Sequence, residues 1–329
     1  MKVLKKVVVY QEMSETLLKQ LSDQFIVSYH PDITKLSDSF YDDLRTADGI
    51  IGSKLIINKP FIQKALNIKI VSSISAGYDN IDVDYLTSKN IMLTNTPGVL
   101  ADSVVDTIFA LMLAAARRVP ELDNFVKEGE WKHQRISSNL YGLDVHHKVL
   151  GIVGMGGIGK TLARRAKYGF DMNVIYYNRK QDKDAERKLG VTYMPYNELL
   201  SRADYIVVLV PLTNDTYKMI GEEAFFYMKS SAIFINCSRG DVVDEEELIK
   251  ALTSRKIFAA GLDVYSKEPL PSDSRLLKLS NVITLPHVGS STQETKDKMI
   301  GLAIENLIDG LNGKLPKNLI NAEVVDRKL

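Results

Sequence analysis

Short apolar runs alternate with longer stretches in which apolar positions recur at helical spacing, from one end of the chain to the other. That rhythm belongs to parallel sheets whose crossover connections are helices. In the first half Lys6–Tyr10, Phe25–Tyr29, Gly49–Gly52, Ile68–Ile74 and Ile91–Thr94 read as strands. In the second half the strands are Val149–Val153, Val174–Tyr177, Tyr205–Val210, Ala232–Asn236, Ala259–Val264 and Val282–Leu285. The pattern predicts an α/β protein with two doubly wound parallel sheets. Between them lies the breaker Thr96-Pro-Gly98, then Asp102 as the N-cap of an apolar helix from Ser103 to about Ala116, ending near Arg117, Arg118 and Pro120. A second long helical pattern, Thr292 to Leu311, finishes at Gly313 and Pro316, and both read as connecting helices.

The length of 329 residues exceeds what one hydrophobic core serves, in keeping with two domains. A content of 45% hydrophobic and 25% charged residues is that of a folded soluble chain. Lys plus Arg number 42 against 41 acids, so neither nucleic acid nor an anionic membrane is an expected partner. Met1 to Tyr10 opens like a secretory leader, with lysines before valines, but Gln11 and Glu12 end the apolar run too soon. No later segment approaches the roughly 20 apolar residues that span a bilayer. The single cysteine, Cys237, precludes an intrachain disulfide and points to a reducing cytosol. Internal repeats and low-complexity tracts are absent, and only the last few residues read as a tail.

Val149–Val153 runs straight into Gly154-Met-Gly156-Gly157-Ile158-Gly159 and a helical continuation, Lys160 to Ala166. This is G-x-G-x-x-G in its required strand, turn and helix setting. Gly154 would make the turn, Gly156 would let the backbone approach a pyrophosphate, and Gly159 would let helix and strand pack closely. The N–H groups at the helix start, on Gly157 and Ile158, would hold the phosphates. The same residues also satisfy G-x-x-x-x-G-K-T, the phosphate loop of nucleotide hydrolases, with Lys160 and Thr161 in the decisive places. A hydrolase needs a magnesium-holding Asp at the end of another apolar strand, whereas Tyr205–Val210 ends in Pro211 and Asp263 is the weaker competitor. A glycine turn with no ligand is the third reading. The dinucleotide reading leads, and it requires no metal.

An NAD enzyme places an acidic side chain just after the strand that follows the loop helix, on the ribose 2′-hydroxyl. Here Asn178, Arg179 and Lys180 occupy that corner. With no carboxylate among them and a guanidinium able to grip a 2′-phosphate, NADPH is favoured and NADH remains possible. A solvated basic turn is the alternative for Arg179 and Lys180.

Ligands of open α/β sheets sit beyond the carboxyl ends of the strands. There the chain places Cys237-Ser238-Arg239-Gly240, then Glu268-Pro269, then Pro286-His287-Val-Gly289-Ser290. Reducing a 2-oxo acid needs a cation for the carboxylate, a proton donor for the carbonyl oxygen and a hydride for the carbonyl carbon. Arg239 can clamp the carboxylate, His287 can give the proton, and Glu268 beside the imidazole would favour its protonated form and fix its orientation. Taken singly, each has a bland explanation as a structural histidine or a solvated charge.

Together these segments resemble the D-isomer-specific 2-hydroxyacid dehydrogenases, and within them the glyoxylate and hydroxypyruvate reductases. The resemblance runs from about Ile68 to Leu315. It rests on Ser75-Ala-Gly-Tyr-Asp-Asn-Ile-Asp82, Asn95-Thr-Pro-Gly98, the glycine loop, Asn236-Cys-Ser-Arg-Gly-Asp241, Gly261-Leu-Asp-Val264 with Glu268-Pro269, and Pro286-His-Val-Gly-Ser290. It implies a catalytic set of Arg239, Glu268 and His287, with substrate held by the Ala76 and Gly77 amides and by Ser290. It implies cofactor contacts at Thr107, Pro211, Cys237, Ser238, Asp263 and Gly289, which disfavours Cys237 as a nucleophile. It also implies a discontinuous architecture: residues 1–98 and 288–329 as a flavodoxin-like substrate domain, residues 99–287 as a Rossmann cofactor domain, and a cleft between them closing near Pro97-Gly98 and Val288. Family members pair as homodimers, and Trp131 is either in such an interface or in the core. Hydroxypyruvate reductases carry another aromatic a few residues past that tryptophan, where this chain has Gln134 and Arg135, so their substrate preference is not carried over. Rival readings are a dehydrogenase for 2-ketogluconate, phosphoglycerate or D-lactate and, from a different class, a dinucleotide-sensing corepressor-like binding protein.

Overall fold

The computed structural model describes residues 4–32, 34 and 36–326. Met1–Val3, at the start of the leader-like opening, and the last residues of the expected tail lie outside them. The chain divides into two compact units, Met1–Leu100 with Ser291–Leu329, and Ala101–Ser290.

In the first unit, β1 (Lys6–Val9), β2 (Ile26–Tyr29), β3 (Gly49–Gly52), β4 (Ile70–Ser73) and β5 (Met92–Thr94) form a parallel sheet in the order β2-β1-β3-β4-β5. Register pairs Val8 with Ile50, and Ile50 with Val71. These three are fully buried because helices cover both faces. Phe40 and Leu44, from the helix Asp38–Thr46, join them in one apolar cluster. The helix Gln293–Leu311 packs against β3, β4 and β5, and glycine lets it come close. A Cβ on Gly310 would lie 2.6 Å from Ile70 Cδ1, and one on Gly49 would lie 2.9 Å from Leu307 Cδ1. The chain then returns to β5, where the Asn321 side chain accepts from Leu93 N at 2.8 Å and donates to Ile91 O at 2.9 Å.

In the second unit, β6 (Val149–Val153), β7 (Asn173–Tyr177), β8 (Thr192–Tyr193), β9 (Tyr205–Val208), β10 (Ile233–Asn236), β11 (Ala259–Leu262) and β12 (Val282–Thr284) run parallel in the order β12-β11-β10-β9-β6-β7-β8. The chain starts at β6, builds out to β8, then crosses back to β9, so the order reverses between β6 and β9. That reversal opens a crevice beyond the carboxyl ends of the two strands. The edge strand β8 went unread because two residues carry no periodicity.

Several strands end sooner than the sequence pattern implied, at Val9, Val208, Leu262 and Thr284. One more ladder bond follows in each case: Tyr10 N donates to Ile51 O, Leu209 N to Val153 O, Asp263 N to Asn236 O, and Leu285 N to Leu262 O, before the chain turns. The helix expected to start at Ser103 starts at Ala101. Asp102 therefore sits in its first turn instead of capping it, and its carboxylate accepts from Arg165 on the helix Gly157–Phe170 at 2.6 Å. The unit boundaries fall at 100/101 and 290/291 instead of 98/99 and 287/288. The whole of helix Ala101–Arg117 belongs with β10 to β12, and Val288 and Gly289 are hydrogen-bonded to Asp263. Among the described residues no helix is long and apolar enough to cross a membrane.

Asn321 is 2% exposed and satisfies one backbone acceptor and one backbone donor at the edge of β5. Asn321→Ala would strand buried polar groups, at about 1–3 kcal/mol each. We expect a lower urea midpoint for the first unit's transition; an unchanged midpoint would contradict this fastening role.

Candidate active site

The glycine loop has the shape its sequence requires. Gly154 adopts φ +110° and passes so near β9 that a Cβ would lie 2.8 Å from the Leu209 carbonyl carbon. A Cβ on Gly159 would lie 2.4 Å from Gly154 O, so helix and turn touch through backbone. Gly156 and Gly157 differ: a Cβ on either meets nothing within 4 Å. The protein itself does not require glycine there, whereas a ligand lying against the backbone would. Gly156 is an N-cap without a side-chain bond, so the first N–H groups of helix Gly157–Phe170 are left for a partner from outside the helix. The loop thus fits a dinucleotide pyrophosphate. It does not have the polar arrangement of a hydrolase loop, because Lys160 Nζ is paired with Asp182 at 2.7 Å and the Thr161 hydroxyl donates to Gly157 O.

At the corner after β7, Asn178 braces the loop, its Oδ1 accepting from Met155 N at 3.0 Å. Arg179 and Lys180 are exposed. The strand-end residues contain no carboxylate, but Asp182 is close by, a feature the sequence reading passed over.

The ends of β10, β11 and β12 carry the three residues picked out for chemistry. Asn236 shapes the first: its Oδ1 accepts from Ser238 N and from the Ser238 hydroxyl, and its Nδ2 donates to Arg239 O at 3.0 Å. The Arg239 guanidinium donates to Ser238 O at 2.8 Å. Gly240 follows, and a Cβ there would lie 1.8 Å from the Tyr265 carbonyl carbon. This contact sets the β10 loop directly on the β11 loop. Beyond β11, Glu268 accepts from Tyr265 N through Oε1 at 3.1 Å and meets His287 Nδ1 through Oε2 at 2.7 Å. The Glu268–Pro269 peptide is cis. The imidazole is 48% exposed, which leaves it open to a reacting molecule.

His287 holds φ +54°, a left-handed conformation unfavourable for a non-glycine residue. Asp263 holds it there. The carboxylate is 2% exposed and accepts from Val288 N at 2.7 Å and Gly289 N at 2.8 Å. Burial raises its pKa despite the pull of those amides, yet both oxygens are used within the protein. Gly289 O in turn accepts from the Ser103 hydroxyl at 3.1 Å and lies 3.5 Å from the Thr107 hydroxyl. The Tyr265 hydroxyl bridges Leu262 O at 3.2 Å and Leu285 O at 2.9 Å, tying β11 to β12. Burial, assisted by the Asp263 charge, pushes the Cys237 thiol up, away from thiolate chemistry.

Pro211, three residues past β9, is exposed, and Ser290 is half-buried where the second unit ends. Ala76 and Gly77 belong to the first unit, in the loop after β4. There Ala76 O accepts from Asn95 and Ser75 O from Thr96 N. Among the described residues the two amides have no acceptor, which leaves their N–H groups available for a ligand anion. Asn236, Gly240 and Tyr265 are the positioning residues that sequence reasoning missed. An Asn ending a strand before a serine is an Asx-turn signal, but the close contact at Gly240 is made by chain 25 residues on (265 − 240) and has no local signature.

If Asp263 is the clamp, the Val288 and Gly289 amides exchange slowly with solvent deuterium and Asp263→Ala accelerates them by about tenfold or more, on the scale of a lost charged hydrogen bond of about 1.5–3 kcal/mol. Equal exchange in both proteins would contradict the clamp.

Comparison with known proteins agrees with this geometry. Residues 109–289 match the family model of the D-isomer specific 2-hydroxyacid dehydrogenase NAD binding domain. Glyoxylate/hydroxypyruvate reductase B of Escherichia coli K12 is 44% identical over 324 residues, covering 97% of this chain and 99% of the relative. Among solved structures, a protein from Thermus thermophilus superimposes with TM-score 0.88 at 34% identity, over 96% of this chain and 99% of the other. The NADPH-dependent glyoxylate/hydroxypyruvate reductase of Sinorhizobium meliloti, in complex with NADP and malonate, gives TM-score 0.84 at 29% identity over 97% of each chain. With a G-x-G-x-x-G turn on one strand and an imidazole–carboxylate pair across two others, the chain belongs to the D-isomer specific 2-hydroxyacid dehydrogenases.

Proposed function

We propose that the protein reduces a small 2-oxo acid of the glyoxylate or hydroxypyruvate type to the D-2-hydroxy acid, with NADPH preferred over NADH. The observation that carries this reading is the 2.7 Å contact of Glu268 with His287 Nδ1, which engages that nitrogen and leaves Nε2 of a half-exposed imidazole for a reacting molecule. Bound NADPH would supply the hydride. The Ala101–Ser290 unit is read as the cofactor domain and the other as the substrate domain.

The roles follow from the side chains. Arg239 pairs with the substrate carboxylate and polarises the neighbouring carbonyl. His287 Nε2 gives its proton to the carbonyl oxygen as charge develops there, and water reprotonates it through its exposed edge. Glu268 keeps Nδ1 as a donor toward itself and so holds the ring in one orientation. Ala76 and Gly77 N–H groups are proposed as donors to a carboxylate oxygen, and Ser290 as a further substrate contact. The first amides of helix Gly157–Phe170 hold the pyrophosphate, and Arg179 with Lys180 takes the 2′-phosphate. Thr107, Pro211, Cys237, Ser238 and Gly289 would line the rest of the cofactor path. Asp263 does so through the backbone it clamps.

A homodimer is proposed as the assembly, and the cytoplasm as its compartment. Between the start of helix Val119–Lys127 and Tyr141 the second unit exposes Val119, Val126, Trp131 and Tyr141, each more than half exposed. A cavity of about 230 Å³ lies beside them, lined in part by Ala114, Arg118, Phe258 and Ile283. Large apolar side chains left in solvent suit a second copy of the chain. Sedimentation equilibrium should give twice the chain mass, with Trp131→Asp weakening association; a monomeric wild-type protein contradicts the proposal.

His287→Ala should lower kcat for the preferred acid among glyoxylate, hydroxypyruvate, pyruvate and 2-ketogluconate by about 10²–10⁴-fold, while NADPH Kd stays near wild type. Arg239→Ala should chiefly raise KM for the acid. A His287→Ala enzyme with wild-type kcat would remove the proton-donor role, and no turnover of any of the four acids would remove the reductase reading.

A further inference from the structure

The corner after β7 carries more charge than Arg179 and Lys180 supply. Asp182 caps the helix Lys183–Leu189, accepting from Ala185 N at 2.9 Å, and its own N–H donates to the Tyr176 hydroxyl at 2.7 Å. The same carboxylate meets Lys160 Nζ at 2.7 Å. Lys160 stands on the first turn of helix Gly157–Phe170, so Asp182 lies one lysine side chain from the amides that face a dinucleotide's phosphates. The neighbouring acids are also engaged. Asp184 pairs with Arg187 and Lys188, and Glu186 accepts from Gln181 and the Tyr176 hydroxyl. Among the described residues Arg179 and Lys180 enter no ion pair. The corner is therefore cationic only because its nearest carboxylate already has a counter-ion.

We propose that Lys160 determines cofactor specificity through Asp182: it neutralises a carboxylate that would otherwise repel a ribose 2′-phosphate, and so preserves the preference for NADPH. This inference rests on the NADPH reading above. It assigns a new duty to the lysine that makes the glycine loop look like a hydrolase motif. The duty is electrostatic and indirect, carried by the ion pair with no phosphate contact of Lys160 itself. Without Lys160, an uncompensated carboxylate would stand four residues past the strand-end position where NAD-preferring members of this fold keep an acid for the ribose hydroxyls.

The test is a double-mutant cycle on the ratio of kcat/KM for NADPH to that for NADH, with Lys160→Met, Asp182→Asn and both together. Asparagine caps a helix as aspartate does, and methionine keeps the apolar stem and helix propensity, so both variants should fold, which thermal unfolding checks. One unmasked, solvent-screened carboxylate near a dianion shifts the ratio by about threefold to tenfold. Lys160→Met should lower the ratio by that factor, mostly through KM for NADPH and less at high salt, and adding Asp182→Asn should restore it. A loss that persists in the double variant means that Lys160 touches the phosphate itself, and overturns the proposal; so does an unmoved ratio in Lys160→Met. A wild-type enzyme that prefers NADH would instead refute the NADPH reading on which the proposal stands.

Discussion

Two backbone amides, those of Val288 and Gly289, point at one buried carboxylate, and the order of the second unit's site depends on that contact. A carboxylate that is 2% exposed is costly unless hydrogen-bonded, and Asp263 is bonded through both oxygens to the chain just past His287. The contact offsets the strain of a histidine at φ +54° and sets where the imidazole points. Glu268 then completes the orientation from a different strand end. Its loop is fixed in turn by Gly240, whose missing side chain lets the β10 loop lie on the Tyr265 carbonyl. Arg239, Glu268 and His287 thus owe their places to backbone contacts between strand ends.

Much of this organisation was legible in the sequence because it is local. The strand-to-helix glycine turn spans a few residues and needs no tertiary knowledge. Strand ends in a parallel sheet point the same way, so a guanidinium, a carboxylate and an imidazole after β10, β11 and β12 had to share a rim. The presence of two parallel sheets follows the same logic, since parallel strands need crossovers and crossovers read as helical spacing. Less legible were features produced by packing. Asp102 looked like a cap and is instead an ion-pair partner of Arg165, because the preceding residues also fit the helix. β8 is an edge of two residues that only its pairing with β7 defines. Gly240 and Asp263 act on residues far along the chain, and their types alone do not say on which.

The cofactor corner shows the same division between composition and contact. Residue types at 178–180 suggest a site for a 2′-phosphate, and the absence of an acid among them supports it. The folded chain brings in Asp182 and at the same time supplies Lys160 to meet it. Asn178, at the same corner, spends its oxygen on Met155 N and thereby braces the glycine turn. Charge at such a corner is a property of pairs, and counting side chains along the strand end does not reveal it.

The proposed proton donation requires Glu268 and His287 to work as one unit in the chemical step. Single-turnover oxidation of enzyme-bound NADPH by glyoxylate, comparing wild type with Glu268→Gln, measures that step without product release. The glutamine keeps the shape and removes the negative charge beside the imidazole. A fall in the single-turnover rate of about tenfold or more, with NADPH affinity unchanged, is the predicted result. Equal rates in the two proteins would show that the imidazole needs no carboxylate partner and would contradict the central claim.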